Sequence, residues 1–274
     1  MIAVAIKDCC RTSDEQLNKR VNALPPFYRN YVLQNGNIGA QGANGTQNYT
    51  NVTSDTQTAN DTQTTSSTQD TQGASPTRLA CCELLLGFCK QYFAEIPNFE
   101  KTETGKPYFR DTGISFSFSH SKSIALCAVS FDRLDACRAV AECEYLAGAK
   151  VLDFACQDEL SLGCDECIVL TVDECARSLG ADVQIMPPHS EKAPLLTLHA
   201  KVARRFFDER TLASLEENKT EQEFYRLFAV AESLSKLSGA GLANYRKGDI
   251  DAKTLSSRLR CDGGEYALAL AFTK

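Results

Sequence analysis

The chain has 274 residues, of which 43% are hydrophobic and 23% are charged, a balance that predicts a globular protein with a sizeable core. A net charge of −6 argues against a nucleic-acid partner. No stretch approaches the roughly 18 apolar residues of a membrane-spanning helix. The N-terminus, MIAVAIKDCC, is too briefly apolar for a signal peptide. We therefore expect a cytoplasmic protein with no nucleic-acid and no membrane partner.

Cysteine is abundant, with thirteen residues along the chain. The number is odd, the chain is long and no export signal is visible, so free thiols are expected rather than a disulfide framework. Several cysteines lie in apolar runs such as LACCELLLGFC and IALCAVSF. Free cysteine in such a run acts as a small buried hydrophobic residue.

Residues 34–76 differ in composition from the rest of the chain. They contain no Lys, Arg, Leu or Phe, and Asp-Thr-Gln recurs at 55, 61 and 70. Such a segment buries too little apolar surface to offset its ordering entropy, so it is predicted to be a disordered insertion. It also holds four Asn-x-Thr sequons, which would matter only in a secreted protein: Asn44, Asn48, Asn51 and Asn60.

Apolar periodicity predicts the elements that follow the insertion. A helix is expected at RLACCELLLGFCKQYF (78–93), and GISFSFSHSKSIALCAVSF (113–131) indicates two strands joined by a turn at Ser119-His120-Ser121. Within 133–178, DACRAVAECEYLAGA and VDECARSLG are typical of helices, whereas VLDFACQ and CIVLTVD are typical of strands.

The C-terminal part begins with a short strand, GADVQIM (180–186). Helices are predicted at 201–218 and from Thr220 to Leu237, the second opened by a Thr220–Glu223 capping box and followed by Gly239. EYALALAFTK predicts a terminal strand. Helices that alternate with short strands and hairpins favour an α+β fold over a run of βαβ units.

Two charged residues on the last predicted helix are candidates for chemistry. Glu232 and Lys236 lie one turn apart on a flank of its apolar stripe. Taken alone, this spacing is typical of an exposed ion pair that contributes about 0.3–0.5 kcal/mol. The glycines of the following GAGL would let the backbone approach a ligand, which favours a functional role.

Other candidates lie upstream. Asp182 is an acid on a predicted buried strand, which is costly unless it is paired, bonded to a turn or bound to a metal. With Glu232 it would supply two oxygen ligands for Mg²⁺. Ser119 and His120 could donate to a phosphate or simply form a polar turn. Lys106 lies in the glycine-proline turn of GKPYF.

The order of these motifs resembles the Sfp-type 4′-phosphopantetheinyl transferases. GKPYF, FSFSHS, GADVQ, ARRFF and FAVAESLSKLSGAGL follow one another as the family's motifs do, over roughly residues 78–132 and 179–242. The last motif is similar to that of the branch with Phe and Glu-Ser, here Phe228 and Glu232-Ser233. The resemblance implies an α+β fold of two similar halves related by a pseudo-twofold axis, 1–178 and 179–274, with a cleft between them.

The resemblance also implies an activity and roles for single residues. Such enzymes transfer 4′-phosphopantetheine from coenzyme A to a serine of an acyl or peptidyl carrier protein, with Mg²⁺ as cofactor, and a monomer is sufficient. Asp182 and Glu232 would hold Mg²⁺. Glu232 would also take the serine proton, and Lys236 would stabilise the developing charge. Coenzyme A would be bound by five residues: Ser119, His120, Lys106, Arg78 and Arg29.

The chain departs from the family pattern at three places. Gln184 occupies the position of the family's second acid, where its carbonyl oxygen could still be a metal ligand, and Ala231 replaces a lysine. Residues 133–178 form an extra, cysteine-rich segment. It contains a single CxxC, Cys164 to Cys167, whereas zinc sites usually show two such pairs, so incidental thiols are the default. Two alternatives stay open: a degenerate relative that binds coenzyme A or a carrier protein without turnover, and a zinc-stabilised interaction module.

Overall fold

The computed structural model describes residues 1–33, 74–132, 134–188, 194, 196–245 and 250–274. Most of the predicted insertion, including its four sequons, lies outside the described residues. The end of that predicted segment is ordered, because Ser75 caps a helix that begins at Pro76.

The elements follow one another as strands, helices and hairpins. In chain order they are β1 (Ile2–Asp8), α1 (Asp14–Ala23), α2 (Pro26–Leu33), α3 (Pro76–Cys89), β2 (Glu100–Lys101), β3 (Pro107–Tyr108), β4 (Ser115–Ser121), β5 (Ile124–Ser130), α4 (Ala136–Glu142), β6 (Lys150–Asp153), β7 (Glu159–Leu162), β8 (Cys167–Val172), β9 (Ser178–Met186), α5 (Thr197–Phe206), α6 (Glu209–Asn218), α7 (Glu221–Ser238), β10 (Lys253–Cys261) and β11 (Gly264–Thr273).

Two sheets organise these elements. The first has the order β4-β5-β1-β8-β6 and the second the order β7-β10-β11-β9, while β2 and β3 form a small separate ribbon. Most pairs are antiparallel, but β6 pairs with β8, and β7 with β10, in parallel. The mixture of mainly antiparallel sheets with seven α-helices among the described residues confirms the predicted α+β class.

The sheets face each other across an apolar layer. On β1, Ile2, Val4 and Ile6 pack into this layer together with residues of β5, β8, β9 and β11. Ala3 and Ala5 face the other way, toward a core built with the helices α1 to α4. The first strand is therefore buried on both faces, which explains its continuous apolar run. On the outer side of the second sheet, α7 packs against β9 and β11.

A row of serine side chains joins the edges of the two sheets. Their hydroxyl oxygens accept hydrogen bonds from alternate backbone N–H groups of β9, and the four pairs are Ser115–Leu179 (3.1 Å), Ser117–Ala181 (3.1 Å), Ser119–Val183 (3.2 Å) and Ser121–Ile185 (3.0 Å). We call this row the serine seam. It satisfies the edge of β9 without a backbone ladder, because serine oxygens on one face of β4 take the place of carbonyl oxygens.

Helix α7 approaches the second sheet most closely at Gly180. A Cβ atom there would overlap with the carbonyl oxygen of Ser233 and the amide nitrogen of Leu237. Only glycine fits at this crossing, and the contact shows which face of β9 is turned toward α7. The helix begins next to Thr220 and ends at Gly239, which is in the left-handed conformation. Thr220 accepts from the Glu223 N–H, but the predicted capping box is only half formed, because the Glu223 carboxylate accepts from Arg226 instead.

Several element predictions were wrong in detail. The strand predicted at VLDFACQ ends at Asp153, and Phe154–Cys156 form a short 3-10 helix instead. The predicted helix VDECARSLG is an extended link into β9, because its backbone N–H groups have tertiary partners: Ala176 donates to Ser130 and Arg177 to the Thr273 carbonyl. Ser119-His120-Ser121 belongs to β4, and the turn falls at Lys122 and Ser123. The helix predicted at 201–218 is interrupted after Phe206, because the Asp208 carboxylate caps a new helix.

Gly180→Ala should lower the free energy of unfolding by about 3 kcal/mol or more, because the methyl group can be placed only by moving α7 off the sheet. Gly148→Ala is the matched control. That glycine has φ +77° with nothing near its Cβ position, so only backbone strain of about 1 kcal/mol is expected. Urea unfolding measures both values. Equal effects would contradict the close contact with α7.

Ser117→Ala should lower the free energy of unfolding by about 1–3 kcal/mol, because the buried Ala181 N–H loses its partner in the serine seam. Ser161→Ala, which changes an exposed serine on β7, should have an effect within about 0.5 kcal/mol. Thermal and urea unfolding provide the measurement. A neutral Ser117→Ala variant would show that the seam does not contribute to stability.

Candidate functional site

The candidate site lies where β4, β9 and α7 meet. Asp182 and Gln184 follow Gly180 at two-residue spacing, so they lie on the face of β9 that is turned toward α7. Glu232 and Lys236 lie one turn apart on that helix. Ser119 reaches the same place from β4 through the serine seam. Three elements that are distant in sequence thus bring Asp182, Glu232, Lys236 and Ser119 together.

Asp182 is the centre of the cluster and is 2% exposed. Its Oδ1 accepts hydrogen bonds from the Ser119 hydroxyl at 2.8 Å and from the Lys236 ammonium at 2.6 Å. Its Oδ2 is buried and has no hydrogen-bond partner. A buried carboxylate oxygen without a partner carries a large desolvation cost. The neighbouring Glu232 can share its proton with the Asp182 carboxylate, so a partner is lacking only when both acids are ionised.

Lys236 forms its ion pair with Asp182 rather than with Glu232. Its Nζ also donates to the Ser119 hydroxyl at 2.9 Å and to the Ala181 carbonyl at 3.2 Å. All three donors of the ammonium group therefore have partners. The alternative of an exposed Glu232–Lys236 pair is wrong, because α7 turns both residues toward a strand that carries a buried acid.

Glu232 titrates abnormally. Burial, followed by the negative charge of Asp182, raises the pKa of Glu232 from 4.5 to about 8, although Lys236 opposes the shift. Two acids held together in a buried place do not both ionise readily. At neutral pH Glu232 therefore carries a proton that a bound cation would displace.

Ser119 and His120 point to opposite sides of β4. The Ser119 hydroxyl donates to Asp182 and accepts from Val183 N and Lys236, which uses all of its hydrogen-bonding capacity. His120 is exposed on the other side. Partial desolvation, together with the positive charges of Lys236 and Arg78, lowers the pKa of His120. His120 is thus largely neutral and lies close to two cations.

Lys106 lies at the C-terminal end of α7. Its Nζ donates to the Leu237 carbonyl at 2.8 Å and to the Ser178 hydroxyl at 3.3 Å, and burial lowers its pKa to about 8. A cavity of about 700 Å³ opens beside it. Residues from the ribbon, from the start of β9 and from the end of α7 line this cavity, among them Thr104, Lys106, Tyr108, Ser178 and Gly239. Its size is that of a small-molecule site.

The two arginine candidates differ in their surroundings. Arg78 on α3 stacks over the Tyr31 ring, 5.7 Å from its centroid, and lies close enough to His120 to affect its pKa. Arg29 instead donates to the carbonyls of Asn22 and Leu24 at the end of α1. The contacts of Arg29 thus connect it to α1, whereas Arg78 lies at the edge of the cluster.

Sequence reasoning missed Gly180, the serine seam and the partner of Lys236. The alternation SFSFSHS was a usable signal, since serine at every second position of a strand predicts one polar face. The sequence does not show that this face contacts the edge of β9 rather than water, because the contact depends on the position of the second sheet.

Glu232→Gln should reduce the pH dependence of stability between 4.5 and about 8. Because the folded pKa is raised, the folded protein holds more protons than the unfolded chain in this window, so stability falls as the pH rises. The variant should lose that fall and be more stable than the unmodified protein near pH 8. Urea unfolding with a metal chelator at about pH 5 and about pH 8 measures this difference. Glu217→Gln, an exposed change on α6, is the control. An unchanged slope in Glu232→Gln would contradict the raised pKa.

Comparison with known proteins finds a related family over the segment that carries most of the cluster. No curated protein matches the chain. A family model does match residues 178–269, a segment that includes Asp182, Gln184, Glu232 and Lys236. The resemblance predicted from the motifs is thereby confirmed at the level of the superfamily, and over residues 178–269 the chain is related to the 4′-phosphopantetheinyl transferase superfamily.

Proposed function

We propose that the protein transfers the 4′-phosphopantetheine group from coenzyme A to a serine hydroxyl of an acyl or peptidyl carrier protein and releases adenosine 3′,5′-bisphosphate. The observation that supports this most is the pair formed by the buried Asp182 and the half-buried Glu232 beside Lys236, inside the segment that matches the superfamily. Two acids that can hold a metal ion and a lysine that can neutralise developing charge are groups that assist displacement at a phosphorus atom.

The residues fit a divalent cation of the Mg²⁺ type. Asp182 Oδ2 is a buried oxygen without a partner, and Glu232 is a second carboxyl group beside it. Hard cations prefer such oxygen ligands. Gln184 lies on the same face of β9 and can add a neutral carbonyl oxygen. When bound, Mg²⁺ would neutralise charge on the pyrophosphate of coenzyme A.

The chain's own residues would then act on protons and charge. Glu232, as a carboxylate, accepts the proton of the carrier serine, directly or through a water molecule. Lys236 carries the positive charge that stabilises the leaving phosphate and protonates it. Ser119 keeps the Asp182 carboxylate in place through its 2.8 Å hydrogen bond. The carrier serine oxygen forms its bond to the phosphorus atom as the bond to the leaving phosphate breaks.

Coenzyme A would extend from this cluster into the cavity beside Lys106. Lys106 and the neighbouring hydroxyl groups suit the adenine end, and His120 suits the phosphates. Ser119 would have to exchange its hydrogen bond to Asp182 for one to a phosphate oxygen to take part. Arg78 would bind the 3′-phosphate, which its proximity to His120 supports. Arg29 is the fifth candidate, and it would need to leave its carbonyl partners on α1 to reach the nucleotide.

The remaining features of the proposal concern architecture and setting. Two similar halves, 1–178 and 179–274, would be related by a pseudo-twofold axis with coenzyme A in the cleft between them. A monomer in the cytoplasm suffices for this activity. Carriers of fatty-acid, polyketide or nonribosomal peptide synthesis all present a suitable serine. Among the described residues, no helix combines the length and the apolar character needed to cross a membrane.

A second candidate is a degenerate relative that binds coenzyme A or a carrier protein without turnover. Gln184 favours it, because one acid of the family motif is absent. Ala231 does not, since its side chain packs in an apolar cluster with Phe224 and Leu227, where a charged side chain would have no role in the site. Calorimetric binding of coenzyme A with no product would identify this second function.

Incubation with coenzyme A, Mg²⁺ and an apo carrier protein should add the mass of phosphopantetheine to the carrier, and a chelator should stop the reaction. Asp182→Ala and Glu232→Ala should each lower kcat/KM by about 10²-fold or more, because each removes a charge that acts on the transition state. Mass spectrometry of several apo carriers, followed over time, provides the rates.

Glu217→Ala on the exposed side of α6 is the matched control and should be fully active. Asp182→Asn preserves side-chain shape and is a second test, should the alanine variant unfold. The proposal fails if no apo carrier gains mass, or if folded Asp182 and Glu232 variants remain fully active.

A further inference from the structure

A second cluster of ligating side chains lies outside the candidate site. Asp8 ends β1, and Cys10 lies two residues further along the chain. Cys164 lies in the loop between β7 and β8, and Asp262 lies in the β10–β11 hairpin. One carboxylate oxygen of Asp8 and the two sulfur atoms lie within 4.8 Å of one another. The sulfurs are 2.6 Å apart, and Cys164 Sγ lies 3.1 Å from Asp262 Oδ2.

Asp8 is the residue of this cluster that needs an explanation. It is 0% exposed, and its Oδ1 accepts from the Cys10 N–H at 3.0 Å. Its Oδ2 is buried and has no hydrogen-bond partner. A buried carboxylate oxygen in this state is costly unless a cation or a buried water molecule compensates it, and the two nearby sulfur atoms favour a cation. A thiol pair that served only as packing would leave this cost uncompensated.

We propose that Asp8, Cys10 and Cys164 bind one Zn²⁺ ion, and that the exposed Asp262, which lies outside this group but has its Oδ2 3.1 Å from Cys164 Sγ, turns toward the ion as the fourth ligand. Two sulfur atoms with two carboxylate oxygens form a set that suits zinc, which accepts both donor types in a tetrahedral arrangement. A hard cation such as Mg²⁺ would not choose the sulfurs. Binding replaces the two thiol protons with the metal and releases both protons to solvent.

The surroundings permit this arrangement. Zinc with sulfur bonds of about 2.3 Å needs its two sulfurs about 3.7 Å apart, so the sulfurs must separate by roughly 1 Å. Cys10 and Asp262 are exposed, and Cys164 lies in a short loop, so this movement and entry of the ion require no change in the core. The bound ion would tie β1 of the first sheet to the β10–β11 hairpin of the second.

The sequence could not show this site. Its CxxC pairs Cys164 with Cys167, whereas Cys167 is part of β8 and Cys164 meets Cys10 instead. The two cysteines are 154 residues apart, so no motif of ordinary spacing joins them. A disulfide would use the two sulfurs but would give no role to the unpartnered oxygen of Asp8 or to Asp262.

Zinc binding by the fully reduced full-length protein tests the proposal. Competition with a chromophoric chelator should give one Zn²⁺ per chain. Cys10→Ser and Cys164→Ser should each weaken binding at least tenfold, and Asp8→Asn should also weaken it. Co²⁺ should give the thiolate charge-transfer absorption of a tetrahedral site, and the absorption should be lost in either serine variant. Circular dichroism shows that each variant is folded.

Two controls separate this site from other ligands. Cys137→Ser changes an exposed thiol on α4 and should bind zinc normally. Asp182→Ala should also bind zinc normally, which distinguishes the cluster from the proposed Mg²⁺ site and makes the result independent of phosphopantetheinyl transfer. The proposal is overturned if the reduced protein takes up no stoichiometric zinc, or if both serine variants bind it as well as the unmodified chain. Recovery of a Cys10–Cys164 disulfide that takes up no zinc after reduction would also overturn it.

Discussion

The serine seam between β4 and β9 is the interaction on which the rest of the structure depends. Side-chain oxygens there satisfy a strand edge that would otherwise be open, and so they bring the two sheets together. The same row places Ser119 against Asp182, so one contact joins the sheets and also fixes a site residue. Short, polar serine side chains allow this, because a longer residue would hold the strands apart.

The candidate site holds several ionisable side chains where desolvation disfavours their charged forms. Asp182, Glu232 and Lys236 are drawn from water by the packing of α7 on β9, and Gly180 permits that packing. A buried group of this kind contributes little to stability by itself, since desolvation offsets much of the attraction between the charges. Its presence is more readily explained by chemistry than by folding, which agrees with the raised pKa of Glu232.

Much of the fold followed from periodicity, and much of the site from the order of motifs. The helix over Glu232 and Lys236 and the strand over Asp182 were correct, because apolar spacing and caps are local signals. The link between β8 and β9 was not predicted correctly. Residues 173–177 have the composition of a helix, but their backbone N–H groups donate to tertiary partners instead. The pairing of Lys236 with Asp182, and of Cys10 with Cys164, depends on contacts between distant segments, which no local pattern encodes.

The path of β7 has a consequence for how the chain can be divided. The chain leaves the first sheet after β6, adds β7 to the edge of the second sheet beside β10, and returns to the first sheet at β8. Leu160 and Leu162 of β7 lie in the layer between the sheets. A fragment cut where the superfamily match begins, at 178, would lose this strand and expose the edge of β10 to pairing with other chains. Residue 178, where the superfamily match begins, is therefore not a position at which the chain can be cut into two intact parts.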